Sequence, residues 1–110
     1  KPISKLRGKE ILILAQLMYY NNKYKHLENE VREKMVFDTD TRTRIRQKLK
    51  VSEATFNNCL TELRKKNVIA ENRLSRTYNI FINGEKEELT FRFIINKEQN
   101  DTDKAQGTDG

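Results

Sequence analysis

Residues Ile45 to Ile69 read IRQKLKVSEATFNNCLTELRKKNVI. Ile45 and Leu49 stand four residues apart in an otherwise basic stretch, as the inward positions of a short helix do. Val51-Ser52 breaks the pattern, with Ser52 placed to cap the next helix and Glu53 a favourable charge in its first turn. At about 100° per residue, Phe56, Cys59, Leu60 and Leu63 then share one inward arc of about 100°. Arg64-Lys65-Lys66 complements the dipole of a helix running to Lys66, and Asn67 suits the left-handed position just beyond it. The stretch therefore encodes two helices joined by a tight break.

Working outward, Ser4 is a candidate cap for a first helix with Gly8 early in it. In the run ILILAQLMYY (Ile11 to Tyr20), Ile11, Leu14, Ala15 and Met18 form a core stripe, while Ile13, Leu17 and Tyr20 form a second stripe opposite. A helix apolar all round is covered on both sides. Tyr24 to Met35 reads as a charged helix with Leu27, Val31 and Met35 inward, and Asp38 to Thr41 as a capping cluster before a third helix from Thr41 to about Lys50. Downstream the period changes from 3.6 to 2. Val68-Ile69-Ala70 starts a short strand, and Glu71 to Ser75 is a turn. Tyr78 to Ile82 reads as a strand, Asn83-Gly84 as a turn, and Leu89 to Ile95 as a partner strand with Leu89, Phe91 and Phe93 on one face.

With 110 residues, the chain has room for one domain, expected over residues 1–96, followed by a polar tail over 97–110 that reads as flexible. Hydrophobic and charged residues each make up 35%, which points to a thin core and a wet surface. The charge is +6, from 22 Lys and Arg against 16 Asp and Glu, and it is unevenly spread. Between Arg42 and Lys66, eight basic residues face only Glu53 and Glu62, so this segment alone carries +6.

No apolar run reaches the length of a membrane span, and there is no signal-peptide pattern, so a soluble cytoplasmic protein is expected. The lack of a starting Met points to a trimmed end. One cysteine, Cys59, and one histidine, His26, leave no disulfide, no zinc cluster and no supported nucleophile–base pair. None of the four glycines precedes a Lys-Ser/Thr pair, so no phosphate loop is present. An enzyme is not expected, nor is a cofactor or metal.

Two short helices, a tight break and a following hairpin give the order of a winged helix-turn-helix. The stretch Ile45 to Ile69 resembles that DNA-binding superfamily: an apolar-x-x-x-Leu helix, a turn with Val and a capping Ser, a Thr-apolar pair, a Leu-x-x-Leu core and a polar C-cap before Val-Ile. The resemblance implies a mainly α fold with a small β-hairpin, and a fourth helix that recognises DNA.

On the face opposite its core arc, that helix offers Ala54, Asn58, Thr61 and Lys65, flanked by Asn57, Glu62 and Thr55. Asn can bond adenine bidentately, and Thr or Ala can touch a thymine methyl, so Ala54, Thr55, Asn57, Asn58 and Thr61 are the candidate base contacts. Candidate phosphate contacts are Thr41, Arg42, Thr43, Arg44, Arg46, Lys48, Lys50, Lys65, Arg73 and Arg76, with Thr41 to Thr43 adding free N–H groups at a helix start.

A sequence-selective double-stranded DNA-binding protein, a transcription regulator associated with the nucleoid, is the leading expectation. Asn abundance beside Lys and Ile is common in proteins from A+T-rich genomes, and the resemblance to small basic helix-turn-helix proteins, which are frequent in phages and mobile elements, implies such a source. Ile13, Leu17 and Tyr20 form a candidate homodimer interface, which would set two recognition helices about one helical turn apart on DNA. The acidic Glu85-Lys86-Glu87-Glu88 tip departs from the basic wing expected for minor-groove contact. It favours the alternative, a winged-helix module making protein contacts in a larger assembly. RNA binding is disfavoured because the one aromatic residue between Arg42 and Lys66, Phe56, points inward.

Overall fold

The computed structural model describes residues 5–82 and 90–97, and over these the chain is mainly helical. The elements are α1 (Gly8–Lys23), α2 (Asn29–Val36), α3 (Thr39–Leu49), α4 (Glu53–Lys65), a single 3₁₀ turn (Arg76–Tyr78) and a helix over 90–97, here α5. The Asn83-Gly84 turn, the acidic tip and residues 98–110 of the polar tail lie outside the described residues.

α1 is the central helix and packs against α2, α3 and α4. Its residues 13 to 18 are buried without interruption. Six consecutive residues sweep more than a full turn, so every side of the helix is covered there. Ile13 and Leu17 are 0% exposed and Tyr20 is half-buried. The second stripe therefore belongs to the core of a single chain, and its reading as a free dimer interface is withdrawn.

Helix ends follow local chemistry. Asp38 caps α3 by accepting from the Thr41 N–H at 2.8 Å, and Ser52 caps α4 by accepting from the Thr55 N–H at 3.1 Å. α3 thus begins two residues earlier than Thr41. α4 ends in a Schellman motif: Asn67 takes φ 62°, and the Val68 and Asn67 N–H groups donate to Leu63 O and Arg64 O at 2.9 and 3.0 Å. The same device ends α3 without the usual glycine or asparagine. Lys50 takes φ 57°, and the Val51 N–H donates to Arg46 O at 3.0 Å. Between α3 and α4 the break is three residues, Lys50 to Ser52.

α2 starts at Asn29 rather than Tyr24, and its inward residues are Arg32 and Val36, with Val31 exposed. The Arg32 guanidinium is accommodated in the interior because it donates to Asn21 Oδ1, Leu27 O and Asn29 Oδ1 at 3.0, 3.2 and 2.8 Å.

Among the described residues the β-hairpin expected from Tyr78–Ile82 and Leu89–Ile95 is not shown. Over the described part of the second strand the chain is helical, with Phe91 and Ile95 buried at i, i+4 and Phe93 68% exposed. The first segment is held by side chains instead of a ladder. Asn22 Oδ1 accepts from the Ile82 N–H at 2.9 Å, Lys25 Nζ donates to Ile82 O at 2.6 Å, Asn21 Nδ2 donates to Asn79 Oδ1 at 3.0 Å, and Phe81 lies over Arg32 at 4.9 Å. With both backbone groups of Ile82 so occupied, a partner strand has no register to join there. Among the described residues the β structure is an isolated antiparallel bridge between Ile69 and Leu74, closed around Glu71-Asn72.

Candidate nucleic-acid interface

α4 sorts its residues as its periodicity requires. Phe56, Cys59, Leu60 and Leu63 are buried, while Ala54, Asn57, Asn58, Thr61 and Lys65 are exposed and Thr55 is half-buried. Thr55 is partly engaged with the cap, since Ser52 Oγ donates to its hydroxyl at 3.0 Å. The Thr61 hydroxyl donates to Asn57 O at 3.0 Å, so its donor is spent within the helix. The amides of Asn57 and Asn58 hydrogen-bond to no described residue. These two residues bring unspent donors and acceptors to the face.

Cys59 borders this face from the core side. Burial pushes its thiol up from the ordinary value, and the carboxylates of Glu10 and Glu62 push the same way against Lys9 and Lys66. The place of Cys59 among Phe56, Leu60 and Leu63 makes it part of the core packing of α4.

The cations of α3 divide by exposure. Arg44, Lys48 and Lys50 are exposed, and Arg42, Thr43 and Arg46 are half-buried. Thr41 is buried: its hydroxyl donates to Met35 O at 2.6 Å and its N–H is taken by Asp38. Free N–H groups over Thr41 to Thr43 are likewise absent, because α3 already starts at Thr39 and Arg42 N–H donates to Asp38 O at 3.0 Å. An acidic cap occupies the position where a phosphate was expected, and Thr41 leaves the candidate set. Arg42 keeps its Nε buried without a hydrogen-bond partner, so part of this side chain is committed to packing.

Tertiary structure sets further cations on the two flanks of α4. On one flank Arg64 Nε donates to Glu71 O at 3.3 Å, which draws the turn carrying the exposed Arg73 against the helix. Arg76 is exposed at the 3₁₀ turn that follows. On the other flank, Arg7, Gly8 and Lys9 at the start of α1 share a cleft of about 390 Å³ with Thr55, Asn58 and Glu62. Arg7 and Lys9 were not among the sequence candidates. Their only local signal is positive charge before an apolar run; what places them beside Asn58 is the packing of α1 on α4.

No helix among the described residues is long and apolar enough to cross a membrane. Neither a family model, nor a curated protein, nor a solved structure matches the chain.

Proposed function

We propose that the protein binds double-stranded DNA sequence-selectively, with α4 as its recognition helix, and serves as a transcription regulator without catalytic activity. The observation that carries this reading is the exposed face of α4, where small side chains surround two amides that have no partner within the described chain, flanked by cations. Asn amides match the adenine edge in the major groove, and the cations match phosphates. α3, the three-residue break and α4 act as the helix-turn-helix. The 69–74 turn with Arg73 stands in place of a full wing. Arg44, Arg46, Lys48 and Lys50 supply the sequence-independent part of the affinity, while Lys65 is paired with Glu62.

A gel shift on the DNA upstream of the protein's own coding region, titrated with salt, tests the reading. Binding should weaken steeply with salt, and neutralising Arg44 and Lys48 should flatten the slope by roughly one to two units. Asn58→Ala should lose about 1–3 kcal/mol of preference for the cognate site while non-specific affinity stays. Salt-independent binding, or no binding, would remove the proposal.

A second reading, a protein-contact module of a larger assembly, is supported by Phe81 and Phe93. These aromatic side chains are 45% and 68% exposed.

A further inference from the structure

We propose that the cleft between the first turn of α1 and the Thr55–Asn58 flank of α4 seats a backbone phosphate of the bound duplex, held by Arg7 and Lys9. The inference rests on the DNA-binding reading and extends it to a second element of the fold.

The cleft holds about 390 Å³ and is walled by α1 on one side and α4 on the other, with room for a phosphate group and its neighbouring sugar. Charge around it is unequal. Glu10 is neutralised by Lys66, whose Nζ lies 2.7 Å from Oε1, and Glu62 is paired with Lys65 at 3.6 Å. Arg7 and Lys9 are exposed and form no ion pair with a described residue, so two positive charges remain for an incoming anion. The end of α1 itself is already met by Glu10, which accepts from the Arg7 N–H at 2.9 Å. What the cleft offers is therefore side-chain charge.

Groove geometry supplies the reason for a phosphate here. A helix with its side chains is about 10–12 Å across, and the major groove is about 12 Å wide. A helix that fills the groove turns its two flanks toward the two sugar-phosphate backbones. With α4 in the groove, Arg64 and Arg73 face one strand, while Arg7 and Lys9 face the other across Thr55 and Asn58. The cations of α1 thus add sequence-independent affinity on the strand beside Asn58.

The test compares the full-length chain with Arg7→Gln/Lys9→Gln, using a duplex selected from a random pool by the unaltered protein. Fluorescence anisotropy across a KCl series and phosphate ethylation interference on each strand are the readouts, and circular dichroism melting checks folding. The expected result is an affinity loss of about tenfold or more at low salt and a salt slope smaller by about one to two units. Interference should disappear from one phosphate cluster on one strand only, with base preference retained. Lys23→Gln, at the far end of α1, should change none of these. If the unaltered chain binds with a steep salt slope and the double variant keeps its affinity, slope and interference pattern, the cleft does not hold a phosphate and the α4 reading stands alone. If no duplex is enriched or bound, both fall.

Discussion

The Lys66 ammonium donates to Glu10 Oε1 at 2.7 Å, and this buried bond ties the residue that caps α4 to the first turn of α1. Both side chains are nearly enclosed, at 10% and 3% exposure, and Lys66 also donates to Lys5 O at 3.0 Å. The pair determines where the start of α1 lies along α4, and hence where Arg7 and Lys9 stand relative to Asn58.

Removing one partner leaves the other charge buried. Glu10→Ala should cost about 3 kcal/mol in urea unfolding, whereas Glu10→Gln, which keeps an acceptor for Lys66, should cost less. Equal costs for the two variants would show that the charge itself contributes nothing beyond the shared contacts.

Lys50 sits in the left-handed region at φ 57°, where a side chain costs free energy that glycine avoids. Lys50→Gly should raise folding stability by about 1 kcal/mol, read as a higher melting temperature. It should at the same time weaken DNA binding by removing an exposed cation beside α4. Opposite signs in the two measurements are the signature of a residue retained for charge at a backbone position better suited to glycine.

Leu17 is fully enclosed in the chain's own core. Leu17→Ala should destabilise the domain by about 2–5 kcal/mol in a denaturant titration, with no change in sedimentation of the folded fraction. A variant of undiminished stability and halved mass would restore the stripe to a role between subunits.

The Cys59 thiol is raised above its ordinary value of 9.0, chiefly by burial. The folded chain therefore holds the thiol proton more tightly than the unfolded chain does. Stability from this source is intact below the unfolded value and falls as pH rises past it, because the unfolded thiol ionises first. Cys59→Ala should remove that part of the alkaline loss, measured as the difference in melting temperature between pH 8 and pH 10, values chosen about one unit either side of the ordinary thiol value.

The α4 face is legible in the sequence because it depends on local spacing. Phe56, Cys59, Leu60 and Leu63 recur at the helical period, Ser52 and Asn67 have the chemistry of the two caps, and the structure keeps each where that chemistry puts it. Asp38 as the cap of α3 lies in a capping cluster equally visible in sequence, although which member caps is settled only where Asp38 accepts from the Thr41 N–H and the Thr41 hydroxyl turns inward to Met35 O.

Local spacing cannot decide a short apolar run. Leu89 to Ile95 fits alternation and fits i, i+4, and the outcome follows from remote groups: Asn22 and Lys25 occupy the backbone of Ile82, while Phe91 and Ile95 supply two side chains to the core. The inward Arg32, the enclosed Leu17 and the nearness of Arg7 and Lys9 to Asn58 are of the same kind. Each depends on contacts between residues far apart in the chain. Periodicity identifies which face of a helix is apolar, and only the packing of α1 among its neighbours decides what lies against each face.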